Sequence, residues 1–199
     1  MIKVIDYKAG NAPSVMHALE HLGLPAGFAH GPDDLQGASH IILPGVGSAQ
    51  ATMQSLHELG LIAALSNAVL SQGVPFLGIC VGMQIIFEHS DEGDADCLGW
   101  LPGQVVRFDS SQVRVPQMGW NRVEFTRPAL DIPAQDHFYF VNSYHAVPAN
   151  PGDLWGVADY AGPFAAAVAH DNIFATQFHA EKSGAAGLGL LTAFAGFQG

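Results

Sequence analysis

The chain has 199 residues, of which 49% are hydrophobic and 13% are charged, and 7 basic residues stand against 18 acidic ones. The hydrophobic share suffices for a large core, and the net charge of −11 argues against nucleic acid or an anionic membrane as partner, since both bind clustered Lys and Arg. Cys80 and Cys97 fit neither a disulfide framework nor a zinc motif, and Lys3 and Asp6 interrupt the N-terminal apolar run. We therefore expect a cytoplasmic protein of one domain, residues 1–199, with no metal, no other cofactor and no membrane segment.

The first half of the chain alternates strand and helix patterns. Short apolar runs end at turn signals, and the segments between them carry apolar residues at helical spacing, as Val15, Leu19 and Leu22 do. Asn11 precedes the first helix and is expected to cap it with its side chain. Such alternation predicts a mostly parallel sheet with helices on both faces. We expect strands at residues 2–5, 26–30, 40–43 and 75–79, and helices at 11–22, at 49–70 with a break near Gly60, and after the last strand through Phe87.

The second half carries closely spaced strand patterns joined by turns rich in Gly, Pro, Asn and Asp. This spacing predicts antiparallel strands added to the parallel sheet, followed by a closing helix. The expected fold class is therefore α/β, a mostly parallel sheet flanked by helices with antiparallel strands in the second half. The expected strands are residues 104–108, 122–125, 138–141, 155–158, 165–169 and 173–177, and the closing helix is 185–197.

The sequence Gly78-Ile79-Cys80-Val81-Gly82 places one thiol where a strand pattern changes to a helix pattern. A sharp strand-to-helix turn exposes such a side chain at the carboxyl edge of the sheet, and the two glycines are expected to leave room for the turn and for substrate. The helix N-terminus favours a thiolate, and the Val81 amide is placed to donate to an oxyanion. The alternative is a structural role, because a free cysteine often packs as a small buried hydrophobic side chain.

Two further segments supply what a nucleophilic cysteine requires. His179 and Glu181 follow a predicted strand and stand two residues apart, so in an extended segment they point to the same side, where Glu181 can orient His179 as a base. The glycine-rich loop 43–47 follows another strand and allows backbone amides to approach a ligand as a second oxyanion donor. An ordinary turn is the alternative for that loop.

These three segments, in this order, resemble the class I glutamine amidotransferase family, which has a flavodoxin-like sheet. Within the family the closest likeness is to members that supply a cyclase in histidine biosynthesis. The likeness rests on Ile5-Asp6-Tyr7 with Gly10-Asn11, LPGVG at 43–47, PFLGICVGMQIIF at 75–87, VPQMGWN at 115–121, YFVNSY at 139–144 and ATQFHAEKS at 175–183.

The resemblance implies that the protein hydrolyses L-glutamine and delivers ammonia to a separate (β/α)₈-barrel cyclase in a heterodimer. It implies that Cys80 is the nucleophile, His179 the base and acid, and Glu181 its orienting partner. The implied oxyanion donors are Val46, Gly47 and Val81, and the implied glutamine-binding residues are Gly45, Gln84, Asn142, Ser143 and Tyr144. The residues implied to face the cyclase are Asn11, Pro116, Met118, Trp120, Tyr139 and Lys182.

Several positions depart from the family pattern. Lys8-Ala9 replaces the usual residues before Gly10, and Gln117 and Asn142 stand where histidine is usual. Ala180 replaces a proline between His179 and Glu181, which predicts a less rigid geometry there. Three alternatives stay open at this point: a glutaminase subunit of another pathway such as pyridoxal phosphate synthesis, a non-catalytic module of the same fold, and a cysteine hydrolase such as a peptidase.

Overall fold

The computed structural model describes residues 1–8 and 11–198. Ala9 and Gly10, which belong to the opening motif, and Gly199, at the end of the expected domain, lie outside the described residues. The first half follows the predicted alternation of strands and helices. Its elements are β1 (Ile2–Ile5), α1 (Ala12–His21), β2 (Ala26–Ala29), β3 (His40–Gly45), α2 (Ala49–Glu58), α3 (Leu61–Ser66, continued by a π-helical turn at Asn67–Ser71), β4 (Phe76–Cys80) and α4 (Val81–Gln84).

The second half consists mainly of strands and ends in a helix. Its elements are β5 (His89–Ser90), β6 (Ala95–Asp96), β7 (Gly103–Arg107), β8 (Gln117–Phe125), β9 (Gln135–Asn142), β10 (Tyr144–Pro148), β11 (Leu154–Asp159), β12 (Pro163–His170), β13 (Ile173–Thr176) and α5 (Gly184–Gly196). Short 3₁₀ turns lie at Pro32–Leu35, Pro151–Asp153 and Ala180–Lys182.

The strands form one sheet with a parallel centre. Strands β2, β1, β3, β4 and β13 lie side by side in that order and pair in parallel. Strand β12 pairs antiparallel with β13, and the order continues through β10, β7, β5 and β6. Strand β11 pairs with both β12 and β8, and β8 pairs with β9. The predicted fold class is therefore confirmed.

The position of β13 brings distant parts of the sequence together. It lies beside β4, and Thr176 pairs with Ile79 although almost half the chain separates them. Because the two strands are parallel, the segments that follow them leave the sheet at the same edge. Cys80 and His179 therefore meet through tertiary pairing.

The core surrounds this parallel centre. Strands β3, β4 and β13 are buried along their whole length, as expected for parallel strands covered on both faces. Helix α1 packs Val15 and Leu19 inward, and Gly60, with φ of 67°, separates α2 from α3 as predicted. Among the described residues, the helices are too short or too polar to cross a bilayer.

The helix after β4 is much shorter than the prediction. Helix α4 ends at Gln84, whereas the apolar pattern predicts a helix through Phe87. The carbonyls of Ile85, Ile86 and Phe87 accept hydrogen bonds from the backbone of residues 98–101 in place of a further helical turn. A contact with a later loop thus ends the helix, and only a single turn is left to stabilise a thiolate through its dipole.

The remaining errors concern short or irregular strands. Strands β5, β6 and β10 are absent from the predictions, and β8 begins at Gln117 where the pattern predicts Arg122. The early part of β8 includes Gly119 with φ of 134°, which weakens the strand signal, and it is held by pairing with β9. The β9 partners of residues 117–121 lie 17 to 25 positions further along the chain, so this pairing leaves little local signal.

Candidate active site

Cys80 occupies a strained backbone position at the junction of β4 and α4. Its φ is 56°, a value that residues other than glycine rarely adopt unless the surrounding fold imposes it. The residue is 5% exposed, so the predicted exposed thiol is wrong in that detail. The sulfur is reached through a cavity of about 290 Å³ at the edge of the sheet.

The glycines on either side of Cys80 allow backbone segments to touch. A Cβ atom on Gly78 would lie 2.5 Å from the Gly82 carbonyl oxygen, and a Cβ on Gly82 would lie 2.0 Å from the Leu43 carbonyl oxygen. Both distances are far below van der Waals contact. The expectation that these glycines leave room for substrate is wrong, since they bring β3, β4 and α4 into close contact.

His179 and Glu181 form the contact that their spacing predicts. His179 Nδ1 and Glu181 Oε1 are 2.8 Å apart, and the two side chains are 2% and 0% exposed. The segment is a 3₁₀ turn at Ala180–Lys182, so the extended geometry used for the prediction is wrong. The His179 backbone is held on both sides, because its N–H donates to the Tyr139 carbonyl and its own carbonyl accepts from Ser183 Oγ.

The pair has strongly shifted proton affinities. Burial disfavours the charged imidazole, but the Cys80 sulfur and the Glu181 carboxylate outweigh burial and raise the pKa of His179 to about 9. Burial also works against the charged form of Glu181, yet His179 and an N–H group of Asn11 hold the pKa of that carboxyl below its usual value. At neutral pH the geometry therefore favours an imidazolium beside a carboxylate.

Asn11 supports this pair from the opposite side. Its Nδ2 donates to Glu181 Oε1 and lies 3.5 Å from His179 Nδ1. It occupies the position before α1, but its side chain makes no capping hydrogen bond, so the predicted cap is wrong. It is only 5% exposed, and its implied place facing the cyclase stays a prediction.

Most of the residues predicted for the site line one pocket. Gly45 is the exception in the glutamine-binding set, because it packs under Val81, where an added Cβ would lie 2.8 Å from the Val81 Cβ. Glu181 lies behind His179 and is not in the lining. The predicted residues that line the pocket are Val46, Gly47, Cys80, Val81, Gln84, Pro116, Asn142, Ser143, Tyr144, His179 and Lys182.

The two backbone segments that the resemblance implies as oxyanion donors both line this pocket. Gly47 has φ of 103°, a conformation that favours glycine, and lies with Val46 in the lining. Val81 is the first residue of α4, where N–H groups have no acceptor within the helix. Both segments lie in the lining with the sulfur, as an oxyanion site needs.

Two side-chain amides in the pocket share one acceptor. Gln84 Nε2 and Asn142 Nδ2 both donate to the Tyr144 carbonyl, at 3.3 and 2.9 Å. Their oxygens, Gln84 Oε1 and Asn142 Oδ1, are buried and have no hydrogen-bond partner within the described part of the chain. Both amides therefore have an unpaired, buried oxygen behind the pocket wall.

Glu92 is a pocket residue that the sequence reasoning missed. Its carboxylate lines the cavity and accepts a hydrogen bond from the Ala49 N–H at 3.1 Å. Burial raises the pKa of this carboxyl, opposed by that hydrogen bond. It lies in an acidic loop after β5, a strand that the sequence pattern does not predict, so only the folded chain reveals it. Across residues 1–8 and 11–198, no group of His, Cys, Asp and Glu is arranged to hold a metal.

An exposed aromatic and apolar surface adjoins the pocket mouth. Met118 is 67% and Trp120 59% exposed, and Trp120 contacts Tyr139 across the β8–β9 pair with ring centroids 6.0 Å apart. Pro116 and Lys182 are exposed and also line the pocket. A partner bound to β8 would therefore lie next to the cavity.

Comparison with known proteins agrees with this geometry. The chain matches the class-I glutamine amidotransferase family model over residues 3–194. It is 46% identical over 194 residues to the imidazole glycerol phosphate synthase subunit HisH of Herpetosiphon aurantiacus, a match that covers 96% of this chain and 91% of the relative. The subunit of the same name from Geobacillus thermodenitrificans is 45% identical over 204 residues, with 98% and 95% covered. A crystal structure described as a glutamine amidotransferase matches with a TM-score of 0.79 at 20% identity. The match covers 98% of this chain and 99% of that chain, and it supports the assignment of the fold.

The chain belongs to the class I glutamine amidotransferase family. Within that family it belongs with the HisH subunits, the glutamine amidotransferase subunits of imidazole glycerol phosphate synthase in histidine biosynthesis. The predicted enzyme class is confirmed, and the alternative pathway of pyridoxal phosphate synthesis is not favoured.

Proposed function

We propose that this chain hydrolyses L-glutamine to L-glutamate and ammonia with Cys80, His179 and Glu181, and passes the ammonia to a cyclase subunit. The pocket carries the proposal: Cys80 and His179 line one cavity, and Glu181 is buried behind the imidazole at 2.8 Å. A thiol, an oriented histidine and nearby backbone N–H groups suffice for amide hydrolysis through a thioester.

The first half-reaction releases ammonia. The Cys80 thiolate attacks the side-chain carbonyl carbon, and the N–H of Val81 and the backbone of Val46–Gly47 stabilise the oxyanion, each donor contributing roughly 10²–10³ in rate. His179 is protonated at neutral pH because its pKa is about 9. It gives its proton to the amide nitrogen, the C–N bond breaks, and ammonia leaves a thioester on Cys80.

The second half-reaction releases glutamate. A water molecule attacks the thioester carbonyl while His179, now neutral, accepts the proton of the water. The same oxyanion donors stabilise the second tetrahedral intermediate, the C–S bond breaks, and glutamate leaves. Glu181 keeps Nδ1 of His179 protonated throughout, so that Nε2 is the atom that exchanges protons.

The polar lining suits the amino-acid end of glutamine. Gln84, Asn142 and the partly buried Glu92 line the pocket. The Glu92 carboxylate complements the charge of an α-ammonium group, which has three N–H donors. Ser143 and Tyr144 complete the glutamine site.

The partner in this proposal is a (β/α)₈-barrel cyclase that forms a heterodimer with the chain. It binds the surface of Met118, Trp120 and Tyr139, with Pro116 and Lys182 at the pocket mouth. The cyclase joins ammonia to PRFAR and forms imidazole glycerol phosphate and AICAR. We further propose that the chain works as one amidotransferase domain in the cytoplasm, and that glutaminase activity is low until the cyclase and its ligand are bound.

The test is Cys80→Ala with Cys97→Ala as the matched control. Burial raises the pKa of the Cys97 thiol to about 11, and the like-charged Asp96 adds to this, so that thiol stays protonated and inert. We expect Cys80→Ala to abolish glutamine-dependent synthesis by the complex but to keep synthesis from added ammonium salt. Cys97→Ala should keep both. Retention of glutamine-dependent activity in Cys80→Ala would refute the proposed nucleophile, and full activity of the parent without cyclase would refute the coupling.

A further inference from the structure

Gln177 lies behind the pocket wall, where it contacts two lining residues, Gln84 and Cys80. It follows β13, and its side chain is 0% exposed. Its Oε1 accepts a hydrogen bond from Gln84 Nε2 at 3.0 Å, and its Nε2 lies 3.7 Å from the Cys80 sulfur, within the range for a hydrogen bond to sulfur. One buried amide therefore contacts a pocket residue on one side and the thiol on the other.

A backbone carbonyl fixes the orientation of both amides. Gln84 Nε2 also donates to the carbonyl of Tyr144, and a carbonyl can only accept. The nitrogen of Gln84 must therefore face Gln177, so the oxygen of Gln177 faces Gln84. The N–H₂ group of Gln177 is then left facing the sulfur.

The sulfur has a different partner in each protonation state. As a thiol, Cys80 has the Val141 carbonyl as acceptor at 3.9 Å. As a thiolate it can only accept, and the His179 imidazolium and the Gln177 N–H₂ group are both placed to donate. The Tyr7 hydroxyl is a further titratable group close enough to interact with the sulfur. The Gln177 donor favours the charged form, because hydrogen bonds to ionised groups are stronger than those to neutral groups.

We propose that Gln177 is a catalytic residue that donates a hydrogen bond to the Cys80 thiolate and raises its population at neutral pH. Tyr144, Gln84, Gln177 and Cys80 form one hydrogen-bonded chain behind the pocket lining that ends at the nucleophile. This inference rests on the proposed function for the use of the thiolate, but the state of the thiol can be measured without glutamine.

The experiment measures alkylation of Cys80 by iodoacetamide in the full chain, followed by mass spectrometry on the peptide that carries Cys80. The variants are Gln177→Met, which removes the donor, and Gln177→Glu, which keeps the size and the acceptor that faces Gln84. The control is Thr176→Val, which removes a buried hydroxyl from the adjacent residue, where Oγ1 donates to the Phe178 carbonyl. Circular dichroism confirms folding of each variant.

We expect Gln177→Met to slow alkylation about tenfold at about pH 7, since a hydrogen bond to an ionised group is worth about a factor of ten or more. At about pH 10, above the ordinary thiol pKa of about 8.5, its rate should match the parent. Gln177→Glu should be slowed at least as much near pH 7, and it decides the matter if Gln177→Met does not fold. Thr176→Val should match the parent at both pH values.

Parental rates near pH 7 in the Gln177 variants would overturn the proposal. Equal slowing at both pH values would also overturn it, because that pattern indicates lost access to the sulfur. An equal slowing in Thr176→Val would overturn it as well. Glutamate release by the parent with cyclase is measured separately. Its absence would refute the proposed function and leave the alkylation result to stand on its own.

Discussion

Replacing Glu181 by Gln separates the charge of this residue from its shape. Glu181 Oε1 accepts from both His179 Nδ1 and Asn11 Nδ2, so an amide oxygen is expected to take the same place. Glu181 Oε2 is buried without a partner among the residues described, and the new N–H₂ group would take its place. An unsatisfied buried donor costs about 1–3 kcal/mol, so we expect a modest loss in the free energy of unfolding.

The larger effect concerns the proton on His179. With Glu181 charged, the pKa of His179 is about 9, and nearly all of the imidazole is protonated at about pH 7.5. If the pKa fell to the ordinary value of about 6.5, the imidazolium fraction at about pH 7.5 would fall to roughly one tenth. The smaller imidazolium fraction should therefore lower activity by at most about tenfold, since the Cys80 sulfur still favours the charged form of the His179 ring.

The assay is glutamate release by the complex with cyclase between about pH 6 and pH 10. The alkaline limb of kcat should move from about pH 9 in the parent toward neutral pH in Glu181→Gln, and lowering the pH should recover much of the loss. Glu58→Gln, on the exposed face of α2, is the control and should keep the parental profile. An alkaline limb that coincides with the parent in Glu181→Gln would refute the role given to the Glu181 charge.

Three further predictions follow from the structure. Gly82→Ala would place Cβ 2.0 Å from the Leu43 carbonyl oxygen, so the free energy of unfolding should fall by about 3 kcal/mol or more. Gly189→Ala, where the space on α5 is open, should raise it by about 0.5–1 kcal/mol. Urea titrations measure both, and equal results for the two variants would contradict this prediction. Trp120→Ala should weaken cyclase binding by about 30-fold as an exposed aromatic anchor, measured by calorimetry, while the alkylation rate of Cys80 stays parental. The free energy of unfolding should fall as pH rises from about 6.5 through about 9, because the folded chain binds the His179 proton more tightly than the unfolded chain; a flat profile would oppose the raised pKa.

The support of His179 comes from three elements. Its Nδ1 contacts Glu181 in the turn after β13, its backbone N–H donates to Tyr139 on β9, and Asn11 reaches Glu181 from the start of α1. Ala180 between the two residues is fully buried. These contacts hold the turn without the proline usual in the family, and the looser geometry predicted from its loss stays a prediction.

The sequence by itself determined the local parts of this protein. Apolar runs broken by Pro and Gly predicted the parallel strands, and GICVG predicted the strand-to-helix turn at Cys80, because both are decided by neighbours within a few residues. The spacing of His179 and Glu181 likewise predicted their contact, although the turn there is 3₁₀. These signals are readable because close neighbours supply most of the physical constraint.

Only the tertiary structure decided how these parts meet. The pairing of β13 with β4 brings His179 to Cys80, and the loop at 98–101 ends α4 after one turn. The contacts of Glu92, Asn11 and Gln177 in the fold have no local sign, because each acts on a group far away in sequence. Hydrogen bonds and strand pairs between distant segments form only when the chain is closed into the sheet, so their partners cannot be read from the residues beside them.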